Sequence, residues 1–309
     1  VFLEENEMVV LTKDKFKISD LNGKEISKKP TRISWDIAQA QKQGYRHFML
    51  KEINEQPKIM ESLLAMRIQK DTGKIVFEEQ KIPEEKLQNI KNISIVACGT
   101  AYHAGLVGKY ILESICAIPT SVDVSSEFRY RDLLIDKDTL VIAISQSGET
   151  ADTLAGTREA RKKAALVLSI CNVLGSTLTR ESDGVIYTHA GPEIGVASTK
   201  AYTAQLLSLY LLAFYLGRIR NNLAESKINK YLEELKQVPK LQDIILKQQK
   251  EIASLSRRHS HFGSFLFLGR NINYPSALEG ALKLKEVSYI PAEGYAAGEM
   301  KHGPIALID

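Results

Sequence analysis

The sequence predicts an α/β protein: a doubly wound parallel sheet flanked by helices, with the unit duplicated and its second copy truncated. Three observations carry that prediction. Short, continuously apolar runs alternate with helical stretches between residues 93 and 217, the pattern of strands covered on both faces by crossover helices. Three of the runs end in turns dense in Ser, Thr and Gly. The opening of this region also recurs. Ile95-Val96-Ala97-Cys98-Gly99 leads through a helix to Ser125-Ser126-Glu127, and Phe265-Leu266-Phe267-Leu268-Gly269 leads through a helix to Ala297-Gly298-Glu299. Glycine and glutamate stand 28 residues apart in the first copy (99 to 127) and 30 in the second (269 to 299), a repeat of pattern more than of identity.

Taken in order, residues 1–36 read as short strands, Met8–Leu11, Lys15–Ile18 and Lys24–Ile26, with a tight turn at Asn22-Gly23. Residues 37–84 read as a helical linker, polar and charged through Arg46-His47-Phe48-Met49-Leu50-Lys51-Glu52-Ile53 and on to Met66, which suits a connector lying over a domain surface. Residues 85–225 form the first α/β unit. Its strands are Ile93–Cys98, Thr120–Val124, Thr139–Ile144, Leu166–Cys171 and Gly184–Thr188, and its helices run near 101–117, 149–164 and 199–217. Residues 226–256, rich in Lys, Glu and Gln with Leu and Ile between, form an amphipathic helical connector, and 257–309 open the second unit.

Composition narrows the function classes. Of 309 residues, 44% are hydrophobic and 25% charged, which fits a globular chain and not a disordered one. Lys+Arg 41 against Asp+Glu 37 is too balanced for nucleic-acid binding driven by charge. Cys98, Cys116 and Cys171 are far apart and show no metal-ligand spacing, so neither a disulfide framework nor a metal site is expected, and a reducing cytoplasm is. Leu206–Leu216 is the one membrane-like run, and it falls short of the roughly 20 apolar residues that span a bilayer. The chain starts on Val1-Phe2-Leu3 and stops on Ile305-Ala306-Leu307-Ile308-Asp309, so both ends are expected to be cuts through a longer protein.

In open α/β sheets ligands sit beyond the carboxyl ends of the strands. Those ends carry Gly99-Thr100-Ala101, Ser145-Gln146-Ser147-Gly148-Glu149-Thr150 and Glu193-Ile194-Gly195-Val196-Ala197-Ser198-Thr199, each leading into a helix. Free N–H groups at a helix N-terminus bind anions, and hydroxyls add neutral donors. Helix capping by Ser147, Thr150 or Ser198 would account for one such turn; three together point to an anion site. No GxGxxG or GxxxxGK[ST] occurs in these turns, which disfavours nucleotide cofactors.

These segments, with Ser126-Glu127-Phe128-Arg129-Tyr130, Leu278-Glu279-Gly280-Ala281-Leu282-Lys283-Leu284-Lys285-Glu286, Gly298-Glu299-Met300-Lys301-His302-Gly303-Pro304 and the 45–53 stretch, resemble the sugar isomerase (SIS) domain family. More narrowly they resemble the isomerase half of the glutamine:fructose-6-phosphate amidotransferases, over essentially the whole chain. The resemblance implies that 1–36 end a glutaminase domain, that 85–225 are a first SIS domain, and that 257–309 begin a second. It implies conversion of fructose 6-phosphate and glutamine-derived ammonia to glucosamine 6-phosphate, without metal or organic cofactor, in a homodimer. Ser145, Gln146, Ser147 and Thr150 would then bind the phosphate, and Val196 and Ser198 the sugar. The family often has Ser where this chain has Ala101, so Thr100 and backbone N–H groups would serve that corner. A glutaminase cysteine and the C-terminal imine-forming lysine are expected outside the chain, so the chain alone is not expected to complete the synthesis.

Glu279, Lys283 and Glu286 stand at i, i+4 and i+7, one face of a helix. Moving a proton between C1 and C2 of a sugar needs a base, which Glu supplies well when burial raises its pKa, and a nearby cation steadies the charge that develops. By resemblance Glu286 is that base, Lys283 its cationic neighbour, Glu279 a supporting residue, and His302 the ring-opening acid–base, reaching the site of a neighbouring subunit. His47, His103, His189, His259 and His261 carry no expected role. Two alternatives share the turns. A plain phosphosugar isomerase or deglycase would not carry segment 1–60, and a non-catalytic sugar-phosphate sensor could dispense with Glu286 and His302.

Overall fold

The computed structural model describes residues 1–30 and 41–308. The boundary expected at residue 36, and the helical start near Asp36, lie outside the described residues. At the N-terminus β1 (Glu7–Leu11), β2 (Phe16–Asp20) and β3 (Glu25–Ile26) form an antiparallel sheet. Its second turn is set by Asp20, whose Oδ1 accepts the N–H groups of Asn22 and Lys24, both at 2.9 Å. This small sheet meets the larger unit through Phe2, whose ring lies beneath the guanidinium of Arg180. The linker forms α1 (Phe48–Arg67), and the short α2 (Glu84–Asn89) opens the first unit.

The main sheet has five parallel strands: β4 (Asn92–Ala97), β5 (Thr120–Val124), β6 (Thr139–Ser145), β7 (Leu166–Cys171) and β8 (Gly184–Tyr187), in the order β5-β4-β6-β7-β8. Alternate side chains serve two cores, as the period of two in a strand requires. Ile95, Ile142, Ile144, Leu168 and Ile170 pack under α3 (Gly99–Cys116) and α7 (Lys200–Ile219). Val96, Val141 and Val167 turn to the opposite face with Phe128 and Ala160, beneath α5 (Ala151–Lys162). Two further short helices, α4 (Ser125–Phe128) and α6 (Thr177–Glu181), follow β5 and β7. The 206–216 run is part of α7, buried in this core, and no helix among the described residues is long and apolar enough to cross a membrane.

The helical connector is built of three helices: α8 (Glu225–Leu235), α9 (Val238–Leu246) and α10 (Gln249–His259). Pro239 lies in the first turn of α9, where a proline starts a helix but cannot continue one from before. The second unit then gives β9 (Phe265–Gly269), α11 (Asn273–Ser288) and β10 (Ala292–Ala296), a βαβ unit whose two strands pair in parallel, Gly269 opposite Ala296. It matches β4-α3-β5, where Ala97 stands opposite Val124. Helix α11 packs on α3, and this contact joins the two units at the carboxyl ends of their strands.

Candidate active site

The strand order places the reversal of the sheet between β4 and β6, since β5 lies outside β4 and all later strands run the other way. A crevice opens beyond the strands at such a point. Here it is entered by the first turns of α3 and α5. Ser145, at the buried end of β6, accepts the N–H of Gly148 at 3.0 Å and pairs with the hydroxyl of Thr150 at 3.1 Å. Ser147 Oγ accepts the N–H of Glu149. Gly148 has φ +68°, and a Cβ there would lie 2.0 Å from Ser176 Oγ and 2.8 Å from Cys171 Sγ, so conformation and space both demand glycine. None of these hydroxyls is a conventional helix cap: the N-cap Thr150 makes no side-chain bond to α5.

The 193–199 loop closes the other side. The Glu193 carboxylate accepts the hydroxyl of Ser198 at 2.8 Å and the N–H groups of Thr199 and Ala201, so it caps α7. Glu52 of α1 accepts the N–H groups of Ile194 and Gly195 at 2.6 and 3.1 Å. A Cβ on Gly195 would meet Glu52 Oε2 at 2.5 Å and Met49 Cα at 3.4 Å, so the loop packs close against the start of α1. Glu55 joins Lys51 at 3.2 Å and Lys200 at 2.8 Å. Lys51, Glu52 and Lys200 are all buried. The linker helix therefore does more than lie over a surface: Lys51 and Glu52 are buried and, with Glu55, form a clasp on the 193–199 loop, while Lys58 and Glu61 face solvent.

Between these segments lies a cavity of about 270 Å³, near the lower end of small-ligand sites, about 300–1,000 Å³. Ser145, Gln146, Ser147, Thr150, Thr100, Val196 and Ser198 all line it. Glu193 is the charged residue in the lining, its carboxylate engaged by the α7 N–H groups and Ser198, and the rest of the pocket offers hydroxyls and the N-termini of α3 and α5 to an anion. Val196 is fully exposed and Ala101 is buried in the wall. Gln205 of α7 also lines the cavity; it is 2% exposed and its Oε1 has no hydrogen-bond partner. A buried amide oxygen without a donor costs about 1–3 kcal/mol, so it is poised to accept from a ligand hydroxyl or a water. Sequence reading missed Gln205, because a glutamine inside an apolar helix has no pattern to mark it.

On α11 Lys283 Nζ lies 3.3 Å from Glu279 and 2.6 Å from Glu286, one face as the spacing requires. Lys283 also donates to Thr100 Oγ1 at 2.9 Å, and Thr100 donates to Glu279 Oε1 at 3.0 Å. The cluster is thus tied directly to a residue of the cavity wall. Burial falls differently from expectation: Glu279 is the buried carboxylate, at 8% side-chain exposure, and Glu286 is 32% exposed beside its lysine. His103 corrects the sequence reading, since its Nδ1 lies 2.7 Å from Glu279 Oε2. His302 is exposed on the 3₁₀ turn Ala297–His302 and does not line the cavity. The cysteines are free. Burial pushes the Cys116 thiol up to about 12 and raises Cys171 as well, while Cys98 lies at the cavity edge.

A switch-point crevice with three hydroxyl-bearing turns defines an α/β protein with an anion-binding pocket at its strand ends. The SIS domain family matches residues 86–215 and 260–309, and the chain belongs to it. Its relatives are more particular. The glutamine–fructose-6-phosphate aminotransferase (isomerizing) of Clostridium tetani is 50% identical over 99% of this chain, and that of Methanosarcina acetivorans 47% identical over 100%. The chain spans 50% of the length of each. Among solved structures, the C-terminal domain of glucosamine-fructose-6-phosphate aminotransferase from Francisella tularensis is 46% identical with a TM-score of 0.83, over 87% of this chain and 75% of that one.

Proposed function

We propose that this chain carries the sugar-phosphate isomerase site of a glutamine–fructose-6-phosphate aminotransferase. Fructose 6-phosphate enters the cavity with its phosphate on Ser145, Gln146, Ser147, Thr150 and the α5 N-terminus, and its hydroxyls toward Thr100, Val196 and Ser198. His302, from a second copy in a homodimer, opens the sugar ring. Ammonia from glutamine condenses at C2 with loss of water, giving an imine. Glu286 then takes a proton from C1 as the electron pair moves to the imine nitrogen. It returns the proton to C2 as the C1 hydroxyl becomes the aldehyde, leaving glucosamine 6-phosphate. Lys283 steadies the charge on the intermediate.

One observation carries this reading: Lys283 bridges Glu286 to Thr100, so the candidate base stands at the same end of the sheet as the candidate phosphate turn. The test is Glu286→Gln in the full-length protein. Isomerisation is expected to fall about 10²- to 10⁴-fold, the usual contribution of a general base, with fructose 6-phosphate still binding within about threefold. Unchanged turnover would defeat the assignment, and loss of binding alone would move Glu286 to the binding side.

A further inference from the structure

We infer that His103 is a positioning residue for proton transfer: it holds Glu279 so that Lys283 is presented to Glu286 and to the cavity. The inference rests on the function proposed above and adds a residue to its machinery.

Thr100 and His103 stand three apart on α3, and Glu279 and Lys283 four apart on α11, so each pair shares one helix face and the pairs meet across the joint between the two units. The Glu279 carboxylate is fully engaged, with Oε1 taking the Thr100 hydroxyl at 3.0 Å and Lys283 at 3.3 Å, and Oε2 taking His103 Nδ1 at 2.7 Å. Lys283 has three N–H donors, and its three partners are Thr100, Glu279 and Glu286. The surroundings offer little water. Glu279 is buried, and on α7 Tyr202 has its phenol pKa raised by burial and by the Glu279 charge. Tyr102 flanks His103 at 5.8 Å between ring centres.

Take the imidazole away and Oε2 becomes a buried carboxylate oxygen with no donor. Lys283 is the cation already touching Glu279, and turning it toward Oε2 draws it from Glu286 and Thr100. The damage then falls on the chemical step, because the phosphate turn at 145–150 shares no bond with this cluster. Since Glu279 accepts, the His103 proton sits on Nδ1, a position that an asparagine amide can reproduce without a ring.

The experiment compares His103→Ala and His103→Asn in the full-length enzyme. H103A is expected to lower kcat between about 10-fold and 100-fold, as loss of a hydrogen bond to a charged group does, with KM within about threefold. H103N is expected to recover kcat to within about threefold of wild type. If H103A does not fold, His103→Phe, which keeps ring volume without a donor, takes its place. A kcat within twofold of wild type in the donorless variant overturns the inference, and so does failure of Asn to rescue. Wild-type protein that does not turn over fructose 6-phosphate sinks the functional reading and this one together, whereas active wild type with an unaffected variant sinks this one alone.

Discussion

The 145–150 turn and the 193–199 loop line the same cavity with similar side chains, yet they are held in unlike ways. Inside the turn, Ser145 binds Gly148 and Thr150, and nearby Thr177 and Leu178 donate to Glu149 and to Gly148 O. All these partners lie within about 30 positions of sequence. The loop depends on α1: Glu52, 142 residues earlier, holds Ile194, and Glu55 holds Lys200 from 145 residues away. The 145–150 turn is therefore a property of the first unit, and the 193–199 loop a joint property of that unit and the linker.

Gly148→Ala is expected to disturb the turn most. The methyl group must clear Ser176 and Cys171 and adopt φ +68°, so strain and overpacking fall in the self-contained turn. A stability loss of about 3 kcal/mol is expected in denaturant titration. Inorganic phosphate, measured by calorimetry, is expected no longer to bind. Retained binding would show that the turn is not the anion site. Glu52→Ala probes the other end. It strips two loop N–H groups of their acceptor, with about 2 kcal/mol expected from leaving them unpaired. Here phosphate is expected to bind as in wild type while fructose 6-phosphate weakens at least about tenfold. Equal weakening of both ligands would mean that the two ends are not separable.

The same contrast explains what could be read in the sequence. The turns were legible because their chemistry is local: hydroxyls and glycine at strand ends are adjacent in the chain, and the strand order turned that pattern into one cavity. The clasp was not legible. Lys51, Glu52 and Glu55 look like a solvated helix face until the loop they grip is in place. His103 carries no local signal for the same reason, its partner Glu279 being 176 residues distant. Strand β10 escaped notice because Ala-Glu-Gly-Tyr-Ala has no β-branched residue. Gly294 is needed there for the backbone of α11, with a Cβ falling 2.8 Å from Leu278 Cα, and that close approach selects a small residue over a good strand former.

A smaller effect is expected at the root of the 193–199 loop. Arg67, the buried final residue of α1, pairs with Glu79 at 2.7 Å and donates to Tyr187 O at the end of β8. His189 reaches the same carboxylate at 3.4 Å. Burial works against the charge on Glu79, but hydrogen bonds from His189 and Arg67 outweigh it and bring the carboxyl from 4.5 to about 2. A carboxylate whose pKa is lower in the folded state lends stability above its unfolded pKa, and that stability drains as pH falls toward the folded value. Wild type is thus expected to lose about 1 kcal/mol between pH 4.5 and about 2 from this group, the partial exposure of Glu79 screening the pair. Glu79→Gln cannot titrate, so its stability is expected to be lower at neutral pH and to fall less steeply in acid. Thermal unfolding across that range checks both slopes. Because the pair ties α1 to the end of β8 and touches neither Ser145 nor Thr150, phosphate affinity at neutral pH is expected to be the same in the two proteins; a variant that lost it would show that the α1 anchorage reaches the 145–150 turn after all.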